Sequence, residues 1–316
     1  MDHGVLLHKL RNLGICGKVG IWIAKFLRDR YQIVACEGTK SSKGEVISGV
    51  PQGTVLGPVL FLVLILDIAD KVSDGTRVSS FADDTRVKKS IRDPQVDCQT
   101  LQQDLQSIYD WAKEVNMHFN SDKFECIRYW PRGDAPQNQY KSPEGEDIDE
   151  KINIKDLGIH LSNDLTFQYQ VQQTVIAASK LAGWALRTFH RRSKALMLTI
   201  WKCLIQPKMD YCSQLWSPND QTSIGDLEKV QRNFTSQICG MENKDYWERL
   251  AALKLYSQER RRERYAMIFV WKISQGLVQG YSLPFTSSGR RGRFLVPRPI
   301  NANAPAQICR ATELSL

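Results

Sequence analysis

Two acidic residues stand side by side in Phe81-Ala82-Asp83-Asp84, and Asp83 falls thirty residues after Gly53, the end of Ser48-Gly49-Val50-Pro51-Gln52-Gly53. Adjacent carboxylates repel, and burying them without a cation is costly. A hard divalent ion such as Mg2+ removes that repulsion, and it takes only one or two carboxylates from any one place. Two acids in a solvated turn would look the same in isolation. In the upstream run the glycines permit close backbone approach and unusual torsions. Gln52 offers both a donor and an acceptor, and a helix starting just beyond would aim its positive end at phosphate. A plain strand-to-helix turn is the alternative reading of that run.

These residues need elements to hold them. Apolar spacing over Ile21–Leu27 predicts a helix, Tyr31–Cys36 and Glu45–Val50 read as strands, and Gly38 to Gly44 is a polar turn. Val55 to Ile68 is an apolar run expected to form a buried core helix, too short and too interrupted at Gly57-Pro58 to cross a membrane, which takes roughly twenty residues. Strands over Arg77–Ala82 and Thr85–Lys89 would place Asp83-Asp84 at the tip of a β-hairpin. Asp93-Pro94 is a helix start, a capping carboxylate followed by a proline suited to the first turn. Leu101, Leu105, Ile108, Ala112 and Val115 then recur at steps of four and three, which makes one apolar stripe. Phe124–Trp130 is strand-like, Pro131–Glu150 a polar loop, and Ile152–Leu161 returns to strand character around Leu157-Gly158. Helices are expected over Asp164–Arg187, Ser193–Tyr211, Ser223–Cys239, Tyr246–Leu253 and Gln258–Ile273. Ser282–Leu316, rich in Ser, Gly, Pro and Arg, reads as largely without structure.

The 316 residues carry a net charge of +9, which points to an anionic partner, nucleic acid first and an acidic membrane surface second. Eight cysteines lie scattered, with five histidines outside zinc-finger spacing, and this argues for reduced thiols rather than a disulfide framework or a metal knuckle. Residues 1–10 lack the basic start and apolar core of a secretory leader, so an intracellular, cytoplasmic or nuclear, address is expected.

Taken together, and in this order, the two segments resemble the palm of a reverse transcriptase of the non-LTR (LINE-type, jockey-like) retrotransposons. The resemblance implies an α+β fold: a partial right-hand polymerase palm, an antiparallel sheet with helices, followed by an all-α thumb-like domain. It implies Mg2+, with Mn2+ as the alternative ion, held by Asp83 with Asp84 in support, and nucleotidyl transfer from a deoxynucleoside triphosphate. Gly49, Pro51, Gln52 and Gly53 would lie under the templating base and incoming nucleotide. Lys123, in Phe119-Asn120-Ser121-Asp122-Lys123-Phe124-Glu125, would protonate the departing pyrophosphate, with a plain surface lysine as the alternative. Leu157-Gly158 resembles the turn that holds the primer end, with a plain β-turn as the alternative. Downstream, Leu204-Ile205-Gln206-Pro207, Tyr211-Cys212-Ser213, Leu215-Trp216-Ser217-Pro218 and Leu227-Glu228-Lys229-Val230-Gln231-Arg232 resemble the thumb and the segment after it. Arg187, His190, Arg191, Arg192 and Lys194, with Trp184 and Phe189, form the favoured phosphate-binding patch. Arg260, Arg261, Arg262 and Arg264 form a second, and Arg290 to Arg298 would add weak attraction. The implied partners are an RNA template, a DNA primer and the RNA–DNA duplex, with no membrane.

In the family the metal-binding aspartate of another strand precedes the counterpart of Asp2-His3, and two-metal catalysis needs that carboxylate. The expectation is therefore a chain of reverse transcriptase descent that is inactive alone, Asp2 being poorly placed at a frayed terminus. A noncatalytic nucleic-acid-binding protein of retroelement origin and a polymerase from a truncated gene are the rival readings. The expected divisions are a fingers/palm remnant at 1–47, palm at 48–162, helical thumb and post-thumb at 163–276, and a basic tail at 277–316.

Overall fold

The computed structural model describes residues 2–130, 138–278, 306–311 and 314–315. The chain divides into two units, Met1–Ile152 with Ala302–Leu316, and Asn153–Asn301. The class is mixed α+β, with small sheets in the N-terminal half and helices in the C-terminal region.

In the first unit, α1 (His3–Asn12) starts at Asp2, whose carboxylate accepts the backbone N–H groups of Gly4 and Val5. Those N–H groups have no intrahelical partner, and the cap satisfies them. The terminus is therefore not frayed at Asp2, a correction to the expectation above. After α2 (Gly17–Leu27) come only two-residue strands, Tyr31–Gln32 with Gly44–Glu45 and Ala35–Cys36 with Thr39–Lys40. Every residue in them is exposed, so no buried face rewards longer pairing.

The apolar run forms α3 (Leu56–Ile65) and a 3-10 turn over Leu66–Lys71. The expectation of an entirely buried helix is corrected. Leu60, Phe61, Leu64 and Ile65 are buried, whereas Val55, Val59, Leu62 and Leu66, at steps of four, three and four, are exposed. α3 itself has no polar residue, so its sequence does not say which of its faces packs.

β1 (Thr76–Phe81) and β2 (Asp84–Ser90) form the hairpin. α4 (Pro94–Glu114) is capped by Asp93, and its whole predicted stripe is buried against Leu6, Leu64, Ile91 and Phe124. β3 (Phe124–Tyr129) and the strand Ala306–Ala311 follow in the sheet, the latter lying between β2 and β3 and antiparallel to both. β4 (Asp149–Glu150) pairs parallel to β3, and Leu314–Ser315 pairs with His118–Phe119. The expectation of a structureless C-terminal tail is thus corrected for residues 306–311 and 314–315. β2 and β3 each present a row of backbone donors and acceptors that must be paired, and this segment pairs both. Residues 279–305, Arg290 to Arg298 among them, lie outside the described residues, as do residues 131–137.

Two polar clusters fasten the hairpin and the turn after α3 to the helices. Asp104 of α4 is buried and accepts from the Ser73 N–H and hydroxyl, each at 2.8 Å, and from the Thr76 hydroxyl, to which buried Lys89 also donates at 3.2 Å. Lys9 donates to Leu64 O at 2.6 Å and to Asp67, which also accepts from the Trp111 indole N–H at 3.1 Å.

The second unit opens with the hairpin of β5 (Asn153–Asp156) and β6 (Ile159–Ser162). The long helix α5 (Gln168–Thr188) comes next. α6 (Lys194–Ile200) passes through a π-turn at Trp201–Ile205 into α7 (Gln206–Asp210). Pro207 has no N–H to offer the preceding turn, and the wider π spacing absorbs that loss. α8 (Ser213–Trp216), α9 (Gln221–Thr235), α10 (Tyr246–Leu253) and α11 (Gln258–Ser274) complete it. Their core holds Met197, Trp201, Ile205, Trp216, Leu227 and Phe234. Buried Glu228 accepts from the Tyr246 hydroxyl and from the Gln258 N–H at 2.9 Å, which binds α9, α10 and α11 together.

Candidate active site

Phe81 pairs with Asp84, so the hairpin loop is two residues, Ala82-Asp83, and Asp84 already belongs to β2. Ala82 takes φ of +53°, as the first central residue of such tight loops does when their twist matches the strands. Asp83 is exposed and Asp84 half-buried. Below them the Ser80 and Thr85 hydroxyls share a hydrogen bond at 3.0 Å, and Thr85 is buried. The tip therefore stands on a firm base.

Sheet register brings Lys123 to the same end. Thr85 and Phe124 both pair with Ala311, so β2 and β3 start level with each other on either side of one strand. Asp84 and Lys123 each precede those residues by one, two strand spacings apart, or about 10 Å. Lys123 is half-buried and closes a 3-10 turn in which its N–H meets Asn120 O at 3.1 Å.

The turn before α3 is built as a cradle. Gly49 and Gly53 have φ of +87° and +74°, torsions that ordinary side chains resist. His3 of α1 donates through Nε2 to Gly49 O at 2.8 Å. The Thr54 hydroxyl donates to Pro51 O at 2.6 Å and accepts from Gly57 N–H at 3.2 Å. A Cβ on Gly57 would come within 2.9 Å of Pro51 O, so that glycine permits the close approach. Gln52 is exposed. His3, Thr54 and Gly57 are the positioning residues that sequence reasoning missed, and the spacing Pro51-x-x-Thr54-x-x-Gly57 was the available signal.

In the second unit Leu157-Gly158 is the loop of the β5–β6 hairpin, with φ of +44° and +85°, the pairing required of a type I′ turn. The Tyr211 hydroxyl donates to Leu157 O at 2.8 Å, and its ring would sit 3.4 Å from a Cβ on Gly158. The Trp216 indole donates to Tyr211 O at 2.8 Å, so the 211–218 motif supports that turn.

The favoured basic patch divides by environment. Arg187 and Arg191 are exposed, and no ion pair engages either among the described residues. Arg192 is half-buried and braces the fold through Gln237 at 2.6 Å and Leu186 O at 3.4 Å. In the second patch Arg261 pairs with Asp210 at 2.6 Å, and Arg262 is buried against the Trp216 ring with its pKa lowered to about 10 by desolvation. Those two arginines serve packing. Sequence reasoning also missed a wider signal: residues 165–209 contain no Asp or Glu and seven Lys or Arg.

Asp2, the one acid beyond the hairpin that was weighed as a metal ligand, is committed elsewhere. Its carboxyl is held below the ordinary range first by the Val5 N–H, then by Gly4 and Asn116. Among the described residues, no three or more His, Cys, Asp or Glu side chains gather as a metal-binding group. Asp83 and Asp84 offer two hard oxygen ligands from adjacent positions, enough for one Mg2+ whose other positions go to water or phosphate. They do not make up the bridging set of a two-ion site.

The sequence matches the reverse transcriptase (RNA-dependent DNA polymerase) family over residues 1–161, half of the chain. It is 26% identical over 248 residues to the RNA-directed DNA polymerase from mobile element jockey of Drosophila melanogaster, covering 75% of this chain and 27% of that one. The jockey polymerase of Drosophila funebris is 24% identical over 252 residues, again 75% and 27% of the two chains. A probable RNA-directed DNA polymerase from transposon X-element of Drosophila melanogaster is 26% identical over 227 residues, 70% and 25%. The chain thus spans about a quarter of the length of the curated relatives it matches.

Proposed function

This chain belongs to the reverse transcriptase family, and from that premise we propose that it is the palm and thumb portion of a non-LTR retrotransposon RNA-directed DNA polymerase. Its partners would be an RNA template, a DNA primer and deoxynucleoside triphosphates. The observation that carries this reading is the family match across both the Gly49–Gly53 cradle and the Asp83-Asp84 hairpin. The common start of β2 and β3, which sets Lys123 level with Asp84, supports it.

Mg2+ bound by Asp83 and Asp84 would neutralise phosphate charge during nucleotidyl transfer. The chain's own groups do the rest. The glycine backbone at 49 and 53 comes close to a base pair, and Gln52 donates to or accepts from its edge. Lys123 is the general acid for the leaving pyrophosphate. Leu157-Gly158, steadied by Tyr211, holds the primer end, and Arg187 and Arg191 hold duplex phosphates with Arg192 as their brace.

Because no three or more His, Cys, Asp or Glu side chains gather as a metal-binding group among the described residues, the 316-residue polypeptide is expected to bind RNA–DNA duplex without extending a primer. A primer-extension assay on an RNA template with Mg2+ tests this, alongside duplex binding. Extension that disappears with Asp83→Ala would confirm the metal pair and refute the inactivity. Extension that survives Asp83→Ala, or failure to bind duplex at low salt, would overturn the assignment. A noncatalytic nucleic-acid-binding role is the second reading, favoured specifically by the acid-free run at 165–209, and it predicts binding that is indifferent to Asp83 and Mg2+.

A further inference from the structure

Trp184 is 45% exposed near the C-terminal end of α5, a large apolar ring left facing water. It is not loose. Phe189 meets it at a right angle, ring centres 6.1 Å apart and planes at 89°, which restrains its tilt. Lys180 and Arg187, four residues before and three after, share its side of the helix. Both are exposed, and no ion pair engages them among the described residues. Exposed Ile176 and Tyr169 continue the same face toward the start of the helix, where Tyr169 meets the His160 ring at 5.1 Å. No acid occurs anywhere between Asp164 and Asp210.

An aromatic ring held at a fixed angle between two uncommitted cations suits a base stacked on the ring with its flanking phosphates on the cations. An apolar protein partner would leave Lys180 and Arg187 buried and unpaired, which is costly. We infer that the Lys180–Trp184–Arg187 face of α5 is a stacking platform for an unpaired base of a single-stranded nucleic acid, which shares Arg187 with the grip on duplex phosphates and adds Trp184 to it. The inference rests on the reading of the helical unit as nucleic-acid-binding and adds a base-stacking residue to it. Paired bases inside a duplex present only edges in the grooves, so Trp184 has nothing to stack on there except at a duplex end.

The test uses the full chain and two probes of about twelve nucleotides, a site size usual for such surfaces: a uridine RNA strand and an RNA–DNA hybrid whose two ends are closed by non-nucleotide linkers. Trp184→Ala should weaken single-strand binding about tenfold, the scale of one lost stacked base, while hybrid binding changes less than about twofold. Trp184→Leu, which keeps apolar bulk without a flat ring, should lose as much as alanine, and Trp184→Phe should retain most of the affinity. An abasic strand should bind wild type and Trp184→Ala equally. Trp247→Ala, at an exposed tryptophan flanked by Asp245 and Glu248, should alter neither probe. Single-strand affinity of Trp184→Ala and Trp184→Leu within about twofold of wild type overturns the platform, and so does equal loss on both probes. Wild type that binds neither probe instead refutes the underlying nucleic-acid reading.

Discussion

Two residues at the hairpin tips hold torsions that their side chains dislike. Ala82 at φ +53° and Leu157 at φ +44° occupy loop positions where glycine or asparagine rests more easily. Ala82→Gly and Leu157→Asn should each raise unfolding stability by about 0.5–1 kcal/mol, read as a higher urea midpoint with unchanged slope. A lower midpoint in either variant would show that the native side chain makes a packing contribution larger than its strain. His160 gives a pH signature. Partial burial, aided by Lys155, pulls its pKa below the ordinary 6.5, so the unfolded chain takes up the proton first. Stability from this group is therefore unchanged above pH 6.5 and falls as pH drops from 6.5 through the lower folded value. Urea melts of wild type and His160→Phe should diverge with pH only below 6.5, and a pH-independent gap would remove His160 as the cause.

Asp104 decides how firmly the elements hold the acidic pair, because one carboxylate ties Ser73 and Thr76 to α4 at the root of β1. Asp104→Ala leaves buried donors unpaired and should cost about 2–4 kcal/mol by urea unfolding. Gly57→Ala should cost about 1–3 kcal/mol, because Pro51 O must give way. The amphipathic pattern of α4 and its Asp93-Pro94 start were readable from sequence because capping and period-3.6 burial are local rules, and both hairpins announced themselves through turn residues. The cradle's internal bonds were less readable, since Thr54 and Gly57 look like ordinary turn and helix residues until folded. The bare face of α3 was unreadable in principle, as a helix without polar residues carries no phase. The strand at 306–311 was hidden for another reason: pairing between distant segments is set by vacant backbone groups, not by composition.

At the scale of the whole molecule, charge is concentrated rather than spread. Residues 165–209 hold seven of the 43 Lys and Arg and none of the 34 Asp and Glu, so 36 cations face 34 anions over all other positions. Seven units of the net +9 therefore sit in residues 165–209. Binding driven by such a region releases counterions, and its logarithm should fall linearly with the logarithm of salt concentration. Each phosphate contact removed lowers that slope by about 0.9 on duplex. Arg187→Gln with Arg191→Gln should thus reduce the slope by about 1.8 with little loss of stability, since neither side chain braces the fold. Arg192→Gln should behave in the opposite manner, lowering the unfolding midpoint through the lost Gln237 and Leu186 bonds while leaving most of the slope intact. Gln replacements at Arg260 and Arg264, on a helix shared with Glu259 and Glu263, should move the slope least. Equal slopes for all three sets would mean that duplex is held by charge elsewhere, and the acid-free run would then be an accident of composition rather than the grip.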